Sequence, residues 1–379
     1  MENEQQKPMN SQEVFCPNET CVARGQIGQG NIGVHSQQER RYKCNVCGVT
    51  FAETKGTPFY RAHKPHWEII IVVTLLAYGC PIQAIVAAFG WDERTVKKVQ
   101  ETSGEHCQDV HEHLVEQPRD LQHVQADEIW VKAQGMVLWL AMAMQVGTRL
   151  WLGAVVSERR DRSLITELMQ HVRACALCRP LLFCVDGLRA YVGAIQRTFR
   201  EPLRTGQPGR PRLRPWDGIY IAQVIKQYQG RRVTGVIHRI CQGTTAQVQA
   251  LIQASQGHGG INTAYIERLN ATFRARLAPL VRRSRALVRQ LPTLHAGVYL
   301  VGTVYNFCTY HQSLRVELLL PHNRRRWLKR TPAIAAGITD HKWSVEELLW
   351  YQVPKPPNLP KWPGRPSQAF LELKKRWLS

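Results

Sequence analysis

The chain is 379 residues long, enough for about two to three domains of the usual ~100–200 residues. Hydrophobic residues make up 44% of it, which excludes a disordered basic tail protein. With 50 Lys and Arg against 29 Asp and Glu, the formal net charge of +21 points to a polyanionic partner. Nucleic acid comes first, because neutralising phosphates dominates such affinities.

The 11 cysteines are an odd number and the N-terminal MENEQQKPMN is polar, so a secreted disulfide scaffold is not expected. A reducing cytoplasm fits, with some thiols free to bind metal. Cys16-x4-Cys21 and Cys44-x2-Cys47 frame a 22-residue gap. Four thiolates in two close pairs suit one tetrahedral Zn²⁺, with a zinc ribbon predicted over 14–60. Gly28-Gln29-Gly30-Asn31-Ile32-Gly33 matches a dinucleotide fingerprint by letters only. No strand precedes it and no helix pattern follows, so it reads as the tip loop of the ribbon.

Ile69 to Trp91 carry no charge, but Gly79, Cys80 and Pro81 interrupt the run, which reads as two short buried helices and not a membrane span. Pro81–Phe89, Gly90-Trp91 and Asp92–Glu101 read as helix, turn, helix, with Asp92 as N-cap. Val96 and Val99 are expected to face the core, and Arg94, Lys97 and Lys98 the outside. That suits a recognition helix in a DNA-binding domain over 65–105.

From 121 to 320 the pattern changes. His123–Lys132, Val137–Gln145 and Leu150–Glu158 predict an antiparallel meander. Asp161 then caps a helix over Leu164–Ala174, and Pro180–Asp186 is an apolar run of the kind buried on both faces. Gly187 opens another helix. Cys175-x2-Cys178 ends an apolar helix with no second pair near it and reads as packing. The predicted fold class is therefore α/β, a mixed sheet flanked by helices, in an order similar to a ribonuclease-H-like domain.

Three carboxylates stand out. Asp127 lies mid-strand among apolar neighbours and Asp186 ends the buried strand, places where an acid costs desolvation energy unless paired or metal-bound. Glu267 lies in the helical stretch Asn262–Leu277, with Asn270 and Arg274 at i+3 and i+7 on one face. Together they suit divalent ions for phosphoryl transfer. Glu128 rivals Asp127, but strand alternation turns it to the opposite face; Asp217 is a weaker rival to Asp186. From 261 to 330, 13 Lys and Arg face two acids, so +11 of the charge lies in 70 residues, a candidate DNA track. It includes Arg274, Arg276, Arg282, Arg283 and Arg285. Residues 354–366 hold six prolines in thirteen and read as linker, within a basic, Pro-rich C-terminal tail over 321–379.

RYKCNVCG (41–48), GTPFY (56–60), DEIW (127–130), DGLRAY (186–191) and IERLNATFRARLAPLVRRSR (266–285), with TPAIAA (331–336) more weakly, resemble bacterial insertion-sequence transposases of the DDE type that carry an N-terminal zinc ribbon. The resemblance covers residues from about 14 to 350. It implies that Asp127, Asp186 and Glu267 form a catalytic triad holding two Mg²⁺ or Mn²⁺ ions about 3.5–4 Å apart. It further implies metal-dependent cutting of DNA at terminal inverted repeats, strand transfer by the freed 3′-hydroxyl, and a homo-oligomer on DNA. The 80 residues between Asp186 and Glu267 exceed the compact members, so an insertion is expected within 200–260, with one strand and the helix of that stretch in the core. A non-catalytic DNA-binding regulator is the alternative. A Tyr or Ser recombinase lacks a recognisable activating set around Tyr310-His311 or His238-Arg239.

Overall fold

The computed structural model describes residues 9–203, 210–230, 232–281, 286–320 and 324–358, with five positions from 368 to 376. Two compact units divide the chain, Met1–His66 with Leu349–Ser379 and Trp67–Leu348.

The first unit is a three-stranded antiparallel sheet of β1 (Ile32–Ser36), β2 (Arg41–Cys44) and β3 (Thr50–Ala52). Alternation along β2 buries Tyr42 and Cys44, and Tyr42 packs at 5.9 Å on Phe51 across the register. Gly28 and Gly30 hold φ of +70° and +68°, so the glycine-rich piece is a turn leading into β1. The later chain returns to this unit. Gln352 Nε2 donates to the Glu53 carbonyl (2.6 Å), Arg24 Nη1 to that of Pro356 (3.1 Å), and the Asn358 N–H to that of Glu19 (2.8 Å). Residues 352–358 are thus a strap on the cysteine-rich sheet. The expected tail over 321–379 is therefore not one segment, although most positions beyond 358 lie outside the described residues.

The second unit opens with α1 (His66–Ala77), α2 (Ile82–Phe89) and α3 (Glu93–Leu114). Gly79 (φ +88°) separates α1 from α2, and no helix among the described residues is long and apolar enough to cross a membrane. Asp92 caps α3 by accepting from the Arg94 N–H. The helix runs well past Glu101, because its second half is buried. A Cβ on Gly104 would lie 2.3 Å from the carbonyl of Ala296, an approach only glycine permits.

The sheet follows as β4 (His123–Ala133), β5 (Met136–Gln145), β6 (Trp151–Ser157), α4 (Arg162–Ala174), β7 (Leu181–Asp186) and α5 (Arg189–Thr198). A small hairpin comes next, β8 (Arg200–Leu203) with β9 (Arg212–Pro215), then β10 (Ile219–Gln229) and β11 (Arg232–Gln242). The rest is α6 (Thr245–Gln256), α7 (Ala264–Arg276), α8 (Leu291–Cys308), the hairpin β12 (Val316–Leu320) and β13 (Arg324–Leu328), α9 (Pro332–Ala335) and α10 (Val345–Trp350).

Six strands form one mixed sheet in the order β11-β10-β7-β4-β5-β6. β4, β7 and β10 run parallel in its middle, and β5, β6 and β11 are antiparallel additions. β7 is buried from Leu181 to Val185, as a strand covered on both faces must be. The 200–260 stretch differs from expectation: both of its strand-like runs join the sheet. β11 is nonetheless an exposed edge, so β10 is the strand that belongs to the core. The β8–β9 hairpin stands apart in its own two-stranded sheet.

Candidate functional site

Among the described residues two clusters could hold metal. In the first unit, the turns after Val14 and after β2 bring the cysteine pairs face to face. Sγ of Cys16 lies 3.6 Å from that of Cys47 and Sγ of Cys21 lies 3.9 Å from that of Cys44, with all four within 4.8 Å. Sulfurs about 2.3 Å from one tetrahedral Zn²⁺ stand ~3.8 Å apart, so the spacing fits that ion. Three of the four are buried and all are free thiols. Burial pushes Cys16 and Cys21 up. Burial opposes ionisation of Cys47 too, but the Val49 backbone, the Asn18 side chain and the Cys16 and Cys21 thiols hold it down to about 7. Cys47 is therefore more readily ionised than an ordinary thiol, and ionisation is what metal ligation requires.

The second cluster lies at the open end of the sheet's parallel middle. Pairing between β4 and β7 stops at Ala126–Val185, so Asp127 and Asp186 come next on adjacent parallel strands. β7 ends there, leaving β4 without a strand neighbour on that side until Val288 pairs beside Ala133. Asp127, Glu128 and Asp186 all reach the notch, with carboxylate oxygens within 4.8 Å of one another. This corrects the expectation that alternation removes Glu128. Alternation sets the side from which a residue leaves the strand, but beside the end of β7 a four-bond side chain from the middle of β4 can still turn to the same point. Asp217, by contrast, is exposed before β10, beside the start of β7 and not its end.

Each carboxylate is held. Asp127 accepts from Asn270 Nδ2 at 2.8 Å. Glu128, its side chain wholly buried, accepts from Arg160 Nε (3.0 Å) and Nη2 (2.7 Å). The same Nη2 donates to Asp186 Oδ2 at 3.0 Å, while Asp186 Oδ1 accepts from the Leu188 N–H ahead of α5. Arg160 lies 5.0 Å from the Trp139 ring, which fixes its fork. One guanidinium does not neutralise three acids. Burial, then the charges of Glu128, Asp186 and Glu267, push Asp127 up to about 7. Burial and the Asp186 charge also raise Glu128, against the pull of Tyr191 and Arg160. Glu128 Oε1 is buried, with the equally buried Tyr191 hydroxyl beside its carboxylate. Three carboxylates against one guanidinium leave an excess of hard oxygen donors, which fits a divalent cation such as Mg²⁺.

Glu267 lies in the first turn of α7, close enough to act on Asp127 but outside the three-acid cluster. It accepts from Lys226 Nζ (2.6 Å) on β10 and from Thr263 Oγ1 (3.0 Å). Lys226 is raised in turn, first by that hydrogen bond. Asn270 is buried and bound to Asp127 instead of lying open to a DNA strand. Arg274 is half-buried, and Arg276 packs 4.7 Å from the Tyr78 ring. On α3, Arg94 and Lys98 are exposed, while Lys97 pairs with Glu93 at 2.5 Å. Arg282, Arg283 and Arg285 lie outside the described residues. Sequence reasoning missed Arg160, Tyr191 and Lys226. Tyr191 stands in DGLRAY, but nothing in that pattern shows which carboxylate it faces.

No protein-family model matches this chain, and no curated protein is significantly similar to it.

Proposed function

We propose that the chain is a DNA transposase of the DDE type. The observation that carries this is the convergence of Asp127 and Asp186, on adjacent parallel strands, beside a helix bearing Glu267. The strand order β6-β5-β4-β7-β10, three antiparallel then two parallel to β4, supports a ribonuclease-H-like domain. The exposed Arg94 and Lys98 on α3 support a helix-turn-helix role for α2 and α3, and the four-cysteine cluster supports a zinc ribbon.

In this reading Asp127 and Asp186 hold Mg²⁺ or Mn²⁺, with Glu128 and Glu267 on either side of them. Ions held there would supply Lewis acidity for activating water or a 3′-hydroxyl. The chain's own residues do the positioning. Asn270 fixes the Asp127 carboxylate, and Arg160 keeps Glu128 and Asp186 together. The Lys226 ammonium holds Glu267 toward the sheet.

The test is cleavage of DNA carrying the element's terminal repeats in Mg²⁺. Asp127→Asn, Asp186→Asn and Glu267→Gln should each lower the rate by about 10³-fold or more, with DNA binding kept. Doubles should be little worse than singles, because the three act as one unit. Normal cutting by all three variants would refute the enzyme reading.

A further inference from the structure

On the flank of α7 away from Glu267 lies a cavity of about 60 Å³ that none of the above uses. Arg149, Tyr265, Arg268, Thr272, His311 and Ser313 line it. Tyr265, Arg268 and Thr272 follow one another at i, i+3 and i+7, so they share a face of the helix. Glu267 and Arg274 lie on the opposite flank, and the buried Ile266, Leu269 and Phe273 turn toward the sheet between the two.

The cavity's chemistry is that of an oxyanion site. The Arg149 guanidinium stacks 3.9 Å from the Tyr265 ring and donates to the Val146 carbonyl, while the Tyr305 hydroxyl donates to the Arg149 carbonyl at 3.1 Å. Arg149 is thus fixed before any ligand arrives. Arg268 is exposed at the mouth. Among the described residues no carboxylate forms a salt bridge with either arginine, and no acid lines the cavity. His311 Nδ1 accepts from the Ser313 N–H at 3.3 Å, leaving Nε2–H as the donor of the neutral ring. Burial and the charges of Arg149 and Arg268 pull His311 down to about 4, so the ring stays neutral while the local field is positive. On this measure of volume one water needs roughly 10–15 Å³, so the space holds about four to five heavy atoms. That is the size of a phosphate group and less than a nucleobase. The Arg149 and Arg268 guanidiniums and the imidazole N–H suit a tetrahedral oxyanion, while the Thr272, Ser313 and Tyr305 hydroxyls are already held by the Arg268 carbonyl, His311 Nδ1 and the Arg149 carbonyl.

We propose that this cavity is a phosphate site, and that its occupant is a backbone phosphodiester of the DNA strand that crosses α7. The source of that phosphate rests on the transposase reading; the site itself does not. A strand lying over the exposed side of α7 meets Glu267 on one flank and Arg268 on the other. A phosphate anchored at Arg149 and Arg268 would therefore set which neighbouring linkage faces the carboxylates.

The experiment uses the full chain and a duplex of about 30 base pairs, with anisotropy measured across a salt series. Arg268→Ala, an exposed change that does not threaten the fold, should weaken binding about 10-fold and make the slope of log K against log salt shallower by about 1. Arg149→Lys keeps the charge but loses the fork. It should weaken binding with the slope unchanged. Arg197→Ala, an exposed arginine on α5, is the charge-matched control and should cost less than about 3-fold. Duplexes with single neutral methylphosphonate linkages should reveal one position that weakens the wild type and leaves Arg268→Ala unaffected. If Arg268→Ala and Arg149→Lys lose no more than Arg197→Ala, or if no such position exists, the DNA-strand site is overturned. If inorganic phosphate raises the melting temperature of the wild type and not of Arg268→Ala, while DNA binding is the same in both, the cavity takes free phosphate and the DNA assignment fails. A chain that never cuts DNA but shows the methylphosphonate pattern keeps this site and loses the catalytic reading. One that cuts normally with Arg268→Ala binding like wild type loses only the site.

Discussion

The four-cysteine cluster and the three-acid cluster are both candidate metal centres, but they are assembled over different distances. The thiols come from two short turns within 32 residues, and among the described residues the cluster packed on the small sheet of β1, β2 and β3 is only Val14, Ala23, Ile32, Tyr42 and Phe51 with the cysteines themselves and Met9. So small a core leaves that unit more dependent on its cysteine cluster than the larger sheet is on its acids. The acids sit in a sheet whose core from Val124 to Val185 is already closed, so their cost is borne by a fold that stands without them.

The largest effect should come from breaking the first centre. Zinc content should be about one per chain, and Cys44→Ser or Cys47→Ser should release it. Binding of a structural Zn²⁺ is worth about 10–16 kcal/mol in small domains, so residues 14–60 should lose their hydrogen-exchange protection altogether. Protection of β4, β5 and β7 should stay unchanged in the same experiment. Full retention of zinc by a Cys44/Cys47 double variant would remove the comparison entirely.

Next in size is the helix contact that supports the acid-bearing sheet. Gly104→Ala forces a Cβ to within 2.3 Å of the Ala296 carbonyl, so α3 and α8 must separate. A loss of about 2–4 kcal/mol in denaturant unfolding of the second unit is expected, with the zinc content untouched.

The acid cluster itself should break more gently. Arg160→Ala leaves Glu128 buried with no strong donor and should cost about 1.5–3 kcal/mol, discounted because Arg160 is partly exposed. Adding Glu128→Gln should restore most of it in a double-mutant cycle. Additive losses would mean that the pair is not coupled. Asn270→Ala should lower affinity for Mn²⁺, read by its paramagnetic signal, by about 10–100-fold through the misaligned Asp127 carboxylate.

The smallest effect is also the sharpest discriminator. Lys226 and Glu267 are both more than a third exposed, so Lys226→Ala should change stability by no more than ~1 kcal/mol. If Glu267 joins the ion-binding set when freed, Mn²⁺ affinity should rise in this variant and fall in Glu267→Gln. If Glu128 is the third donor instead, Mn²⁺ affinity should respond to Glu128→Gln alone.

Local pattern determined much of this protein. The spacing of Cys16, Cys21, Cys44 and Cys47, the glycine and proline break at 79–81, the cap at Asp92 and the apolar runs of β4, β5 and β6 between their turns all act within a few residues. Each could be read without knowing what packs where. The placement of Asp127 and Asp186 was legible too, because an acid in an apolar strand is conspicuous wherever it lies.

The tertiary structure decided what depends on register and strand ends. Glu128 joins the acids only because β7 stops at Asp186, a fact of parallel pairing that no alternation pattern contains. Asn270 turns inward because Asp127 awaits it across 143 positions of chain, and Glu267 meets Lys226 only once β10 lies beside β7. The return of residues 352–358 to the cysteine-rich sheet is of the same kind. A sequence records which groups can pay for burial; which of them meet is set by the long-range pairing that the whole chain must satisfy together.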